Sequence, residues 1–188
     1  MGRVVREDAL AALVDQHVGR GLVNAAAARH AGLAPEDFEP RVQAVLVLMP
    51  FLAPKLPRLR PELLAGLAAD IERTATRLLQ LRALLPTQAD AAAVLSARPS
   101  LLLDGEWERL PAGLDALLRR FSEGDVARLV HAEPSLLLED VDGVLRELQR
   151  LVPAASGGAD PLAAAAAILA ANPSLATSCL RLRDLSIW

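Results

Sequence analysis

One phrase is written three times in this chain, and it limits the fold more than any other feature. It reads Val94-Leu95-Ser96-Ala97-Arg98-Pro99-Ser100-Leu101, then Leu129-Val130-His131-Ala132-Glu133-Pro134-Ser135-Leu136, then Ile168-Leu169-Ala170-Ala171-Asn172-Pro173-Ser174-Leu175. The prolines lie 35 and 39 residues apart, a period at which self-similarity signals stacked helical units. Large apolar residues recur five and four positions before the proline, alanine two before, serine one after and leucine two after. The positions one and three before it vary among polar and small types. Fixed apolar and small positions with varying polar ones indicate a packing constraint. A catalytic constraint would fix the polar positions instead.

The proline sets the local geometry. It lacks a backbone N–H and drives the preceding residue out of the helical region, so a helix ends there. A turn of Ser-Leu-Leu follows, then a second helix whose apolar residues recur at three- and four-residue steps. These are Leu110, Leu114, Leu117, Leu118 and Phe121 in the first copy, and Val141, Val144, Leu145, Leu148, Leu151 and Val152 in the second. That spacing is the stripe of an amphipathic helix and not the alternation of a strand. Each helix, turn and helix buries too little alone and needs its neighbours.

The phrase resembles the repeat of the mitochondrial transcription termination factor (mTERF) family. The likeness rests on Val94, Leu95, Pro99, Leu101, Leu102, Leu110, Leu114 and Leu117, and again on Leu129, Val130, Pro134, Leu136, Leu137, Leu145 and Leu148. It covers roughly residues 61–188, with Pro61-Glu-Leu-Leu64 as a degenerate copy and Pro173 and Leu175 opening a partial one. The resemblance implies an all-α, single-domain helical-repeat solenoid with mTERF-like superhelical form. It further implies work in mitochondria or chloroplasts, on DNA or RNA or within a larger assembly. The organisation expected is N-terminal helices and a proline-rich connector over 1–60, packed on repeats spanning 61–98, 99–133, 134–172 and 173–188.

Composition supports helices. Apolar residues make up 53% of the 188 and aromatics 3%, with no tyrosine, so the core is leucine, alanine and valine and lacks the aromatic, β-branched runs of a sheet. The charge pulls against a strong nucleic-acid binder. There are 20 basic and 23 acidic residues, whereas phosphate affinity comes from clustered Lys and Arg. Only residues 51–120 have more basic than acidic residues, 10 against 8. No apolar run reaches spanning length, since Ala44–Leu52 is short and contains Pro50. The N-terminus mixes Arg3 and Arg6 with Glu7, Asp8 and Asp15, a poor match to a transit peptide.

Along the chain, Asp8–Val23 reads as a helix with Leu10, Leu13, Val14, His17, Val18 and Leu22 inward, stopped by Gly32. Pro35–Pro40 reads as an acidic turn, and Pro40 as the first residue of a helix to Met49 with Val42, Val45, Leu46 and Met49 inward. Phe51–Arg60 reads as a stiff connector exposing Lys55, Arg58 and Arg60. The next helix carries Leu64, Leu67, Ile71, Ala75 and Leu78 on one face. Gly157-Gly158 marks a linker, and the tail ends in Trp188.

No phosphate loop, nucleophile elbow or zinc motif occurs. Cys179 is the only cysteine, so neither a disulfide framework nor a cysteine metal cluster is available. His131 reads as a surface residue, His17 as a core one, and His30 has no evident partner. Glu106, Glu108, Glu139, Asp140 and Asp142 read as helix-start acids. No catalytic residue, cofactor, metal or small-molecule substrate is expected. The candidate surface is an arginine set, Arg58, Arg60, Arg73, Arg77, Arg98, Arg119 and Arg120, for nucleic acid. The competing expectation has these arginines paired with Glu62, Asp70, Glu72 and Asp115 on solvated faces, and the chain serving as a protein–protein scaffold or structural subunit.

Overall fold

Among the described residues, four corners share one backbone geometry. In each, a helix ends at the residue before a proline, and that residue is held near φ −140°: Met49 (−133°, ψ 71°), Arg98 (−139°, 76°), Glu133 (−145°, 86°) and Asn172 (−135°, 73°). Its N–H donates to the carbonyl four residues back, at Val45 (2.8 Å), Val94 (2.9 Å), Leu129 (2.8 Å) and Ile168 (3.0 Å). Its carbonyl accepts from the leucine two after the proline: Leu52 (3.0 Å), Leu101 (3.3 Å), Leu136 (3.2 Å) and Leu175 (3.0 Å). The corners at Pro99, Pro134 and Pro173 are therefore equivalent points of the backbone. The fourth lies at Pro50 and not at Pro61. Arg60 has φ −67° and ψ 131°, and Pro61 opens an α-helix directly, the ordinary role of proline at a first helical position.

The computed structural model describes residues 18–151 and 160–185. Among them every regular element is helical and none is a strand. The expectations for His17 and the residues before it, for Gly157-Gly158 and for Trp188 lie outside the described residues. The elements are α1 (described over 18–31), α2 (Pro35–Leu48), a 3₁₀ turn (Pro50–Arg58), α3 (Pro61–Ala69), α4 (Ile71–Leu84), α5 (Ala91–Ala97), a 3₁₀ turn (Pro99–Leu102), α6 (Asp104–Trp107) and α7 (Leu110–Arg120). They continue with α8 (Glu123–Ala132), a 3₁₀ turn (Pro134–Leu138), α9 (Val141–Leu151), α10 (Pro161–Ala171) and α11 (Leu175–Leu185). The chain divides into two compact units, Met1–Leu78 and Leu79–Trp188. The division falls inside α4, where the sequence reading has one domain with an internal boundary at 60/61.

In the first unit, Gly32 turns the chain between α1 and α2 at φ +67°, a conformation open to glycine at little cost. The inward face of α1 is Asn24, Ala27 and Ala28, while Val18 and Leu22 are 55% and 67% exposed. The expected stripe is thus on the wrong side over this stretch, because α1 packs through its small residues. Helix α2 begins at Pro35, so the acidic turn is its first turn, with Glu36 and Asp37 favourably placed against the helix dipole. Pro40 lies inside it and forgoes one helical hydrogen bond. Phe38, Val42, Val45 and Met49 are fully buried, and Leu46 is half-buried.

The connector is itself core. Leu52 and Leu56 of the first 3₁₀ turn are fully buried. The face expected to run from Leu64 to Leu78 is broken at Asp70 (φ −140°, ψ 96°), whose carboxylate accepts the Arg73 N–H at 2.9 Å and starts α4. Thr74 Oγ1 donates to the Leu67 carbonyl at 2.9 Å, and Arg41 donates to the carbonyls of Ala68 and Ala69 at the end of α3. The Arg41 bonds attach the end of α3 to α2, and the Thr74 bond ties α4 back to α3.

In the second unit Leu95, Leu101, Leu117, Leu129, Leu137 and Val144 are fully buried, each worth roughly 2 kcal/mol of apolar transfer. Helix α7 meets the Pro134–Leu138 turn at backbone distance: a Cβ at Gly113 would stand 1.7 Å from the Leu137 carbonyl oxygen. Arg109 donates to the Leu138 carbonyl beside it. Leu118 and Leu151, read as inward, are 39% and 37% exposed. The alanines two before each proline, Ala97, Ala132 and Ala171, are exposed. Packing does not account for them, contrary to expectation, since each is the last residue of its helix and faces outward.

Candidate functional site

The seven candidate arginines separate between the units. Arg58, Arg60, Arg73 and Arg77 belong to the first; Arg98, Arg119 and Arg120 belong to the second. Their environments differ more than their sequence context suggests.

Arg98 is a structural clasp. Its Nε and Nη2 donate to the two oxygens of Glu106 at 3.0 and 2.8 Å, and Ser100 Oγ donates to the same carboxylate at 2.9 Å. Both side chains are only part exposed, 35% and 24%. Burial pushes the Glu106 carboxyl up, and the hydrogen bonds from Arg98 and Ser100 outweigh it, leaving the carboxyl below its ordinary range. Glu106 is therefore more than a helix-start acid: it closes the Pro99 corner.

A carboxyl that binds its proton less readily when folded stabilises the fold fully above the ordinary carboxylate range. That contribution is lost as pH falls through the lowered folded value. Urea unfolding of Glu106→Gln is expected to show a loss of about 1 kcal/mol at neutral pH after solvent screening, with wild type and variant converging in acid. Equal stability at both pH values would remove the clasp from the account.

The Pro134 corner uses a different clasp at the same position. Glu133 accepts from Ser135 Oγ at 2.5 Å and from Thr177 Oγ1 at 2.9 Å, the latter on α11 and 44 residues away. The position before the proline, read as freely varying, holds a polar anchor specific to each of these two copies. Arg120 is likewise engaged, making a two-pronged pair with Asp142 at 2.9 and 3.1 Å, and the guanidinium holds that carboxyl below the usual range. Arg119, Arg120, Glu139, Asp140 and Asp142 line an open cleft of about 450 Å³ with Ala116 and Val141. Acids outnumber cations there, so the cleft does not form a phosphate seat.

In the first unit Arg73 lies 3.8 Å from Asp70, as the competing expectation has it. Glu62 pairs instead with His30, at 3.1 Å, giving that histidine the partner the sequence did not reveal. Lys55, Arg58 and Arg60 are exposed as expected. Among the described residues neither Arg58 nor Arg60 makes an ion pair. His131 is exposed. Cys179 is buried, which raises its thiol pKa.

Among the described residues no group of three His, Cys, Asp or Glu is placed to hold a metal, and no helix is long and apolar enough to cross a membrane. Comparison with family models, curated proteins and solved structures finds no match to this chain.

Proposed function

We propose that this chain is a non-enzymatic helical-repeat scaffold. Its proline-cornered helix pairs stack as a solenoid and hold a protein partner in a larger assembly. The observation that carries this reading is the state of the arginines in residues 79–188. Arg98 and Arg120 are committed to Glu106 and Asp142, and this unit holds 10 basic against 14 acidic residues. A surface whose cations are already neutralised gains little from releasing phosphate counterions. The repeat's likeness to the mTERF family supports a place in mitochondrial or chloroplast gene expression.

The test is capture of partners by the full chain from nuclease-treated organelle extract, at about 50 and 200 mM salt. A protein complex that survives both salt concentrations and the nuclease is expected. If everything captured disappears with nuclease or with salt, the scaffold reading falls. A second reading, direct nucleic-acid binding of the mTERF-like kind, is favoured by one observation: the exposed basic run in the first unit.

A further inference from the structure

Between Glu39 and Glu62 every charged residue is positive: Arg41, Lys55, Arg58 and Arg60. Arg41 is used internally, donating to the carbonyl ends of α3. The other three are exposed on one short piece of chain. That piece is fixed at both ends and from below, because Pro50, Pro54, Pro57 and Pro61 restrict its backbone while Leu52 and Leu56 are fully buried. Side chains on such a turn present charge without ordering the backbone first, which lowers the cost of binding. Arg58 and Arg60 have no ion pair to break among the described residues.

From this we infer that the Lys55–Arg60 edge is a contact for the phosphodiester backbone of a nucleic acid strand, read without regard to base sequence. The inference rests on the second reading above, and it moves the contact from the seven-arginine set to three residues of the first unit. A backbone contact fits better than base stacking, since the exposed residues over 53–60, Ala53, Pro54, Lys55, Arg58 and Arg60, include no aromatic on which a base would stack.

The experiment is fluorescence anisotropy of the full chain with a labelled single-stranded RNA and, separately, a labelled duplex DNA, across about 50–200 mM salt. Three neutralised phosphates predict a slope in log affinity against log salt of about −2.7 for the duplex and about −2.1 for the single strand, or roughly fortyfold and twentyfold weakening over that range. Lys55→Gln/Arg58→Gln/Arg60→Gln is expected to weaken binding at low salt at least about tenfold and to flatten the slope, whereas Arg119→Gln leaves both unchanged. Protection of Arg58 and Arg60 from phenylglyoxal by the bound strand gives the same answer on unmutated protein. Binding in only one arm tells RNA from DNA. No binding in either arm at low salt overturns this edge and the nucleic-acid reading together. Binding by wild type that the triple variant retains, or that leaves both arginines unprotected, overturns the edge alone. Competition by polyglutamate as effective as by the strand reassigns the edge to an acidic protein and overturns the inference.

Discussion

Gly113→Ala is expected to destabilise the second unit by about 3 kcal/mol, near the upper end of what forcing extra atoms into a packed site costs. The added methyl would stand 1.7 Å from the Leu137 carbonyl oxygen. The obstacle is backbone, so no rotamer change relieves it. Either α7 shifts outward or the Pro134–Leu138 turn does, and both movements pull on the neighbouring bond from Arg109 to the Leu138 carbonyl. Guanidinium unfolding of the wild type and of Gly113→Ala measures the loss. As a control, Gly105→Ala should be nearly neutral, since a Cβ there meets nothing within 4 Å. Equal stability of Gly113→Ala and wild type would mean that α7 and the turn are not in direct contact.

The second large effect concerns Leu52. If the Pro50 corner is a true copy, Leu52→Ala should cost what Leu101→Ala and Leu136→Ala cost, about 3 kcal/mol each. All three leucines are 0–1% exposed and make the same backbone bond to the pre-proline carbonyl. Leu175→Ala should cost clearly less, because the equivalent leucine of the last corner is only half-buried. Thermal melts of the four variants give the ranking. A Leu52→Ala protein as stable as the wild type would show that Pro50 only imitates the corner.

The corners at Pro99, Pro134 and Pro173 were legible because their physical cause is local. A missing N–H and a restricted preceding residue act within a few positions, and the words around them repeat. The corner at Pro50 was hidden because Met49 and Phe51 replace the polar residue and the serine of the other copies, although the hydrogen bonds are the same. Pro61 had the matching leucine and lacked the geometry.

The inward face of α1 is not legible from side-chain size, because the small residues Ala27 and Ala28 fill it while Val18 and Leu22 face outward. The candidate arginines were the least legible. Whether a guanidinium is available depends on a carboxylate brought in from elsewhere in the chain. Asp142 reaches Arg120 across 22 residues and Glu106 reaches Arg98 across 8, and no local pattern marks either partner. The exposure of Arg58 and Arg60 was visible for the opposite reason, since it follows from the prolines and buried leucines beside them.

The two hydrogen bonds that define each corner join residues within one short window, from five before the proline to two after it. The intervals between successive corner prolines, by contrast, are 49, 35 and 39 residues. Each corner thus keeps its own register, independent of how much chain separates it from the next. Insertions and deletions between the windows leave these two backbone bonds in place, while a single residue added or lost inside one would displace the leucine from its carbonyl and turn the following helix to a new face.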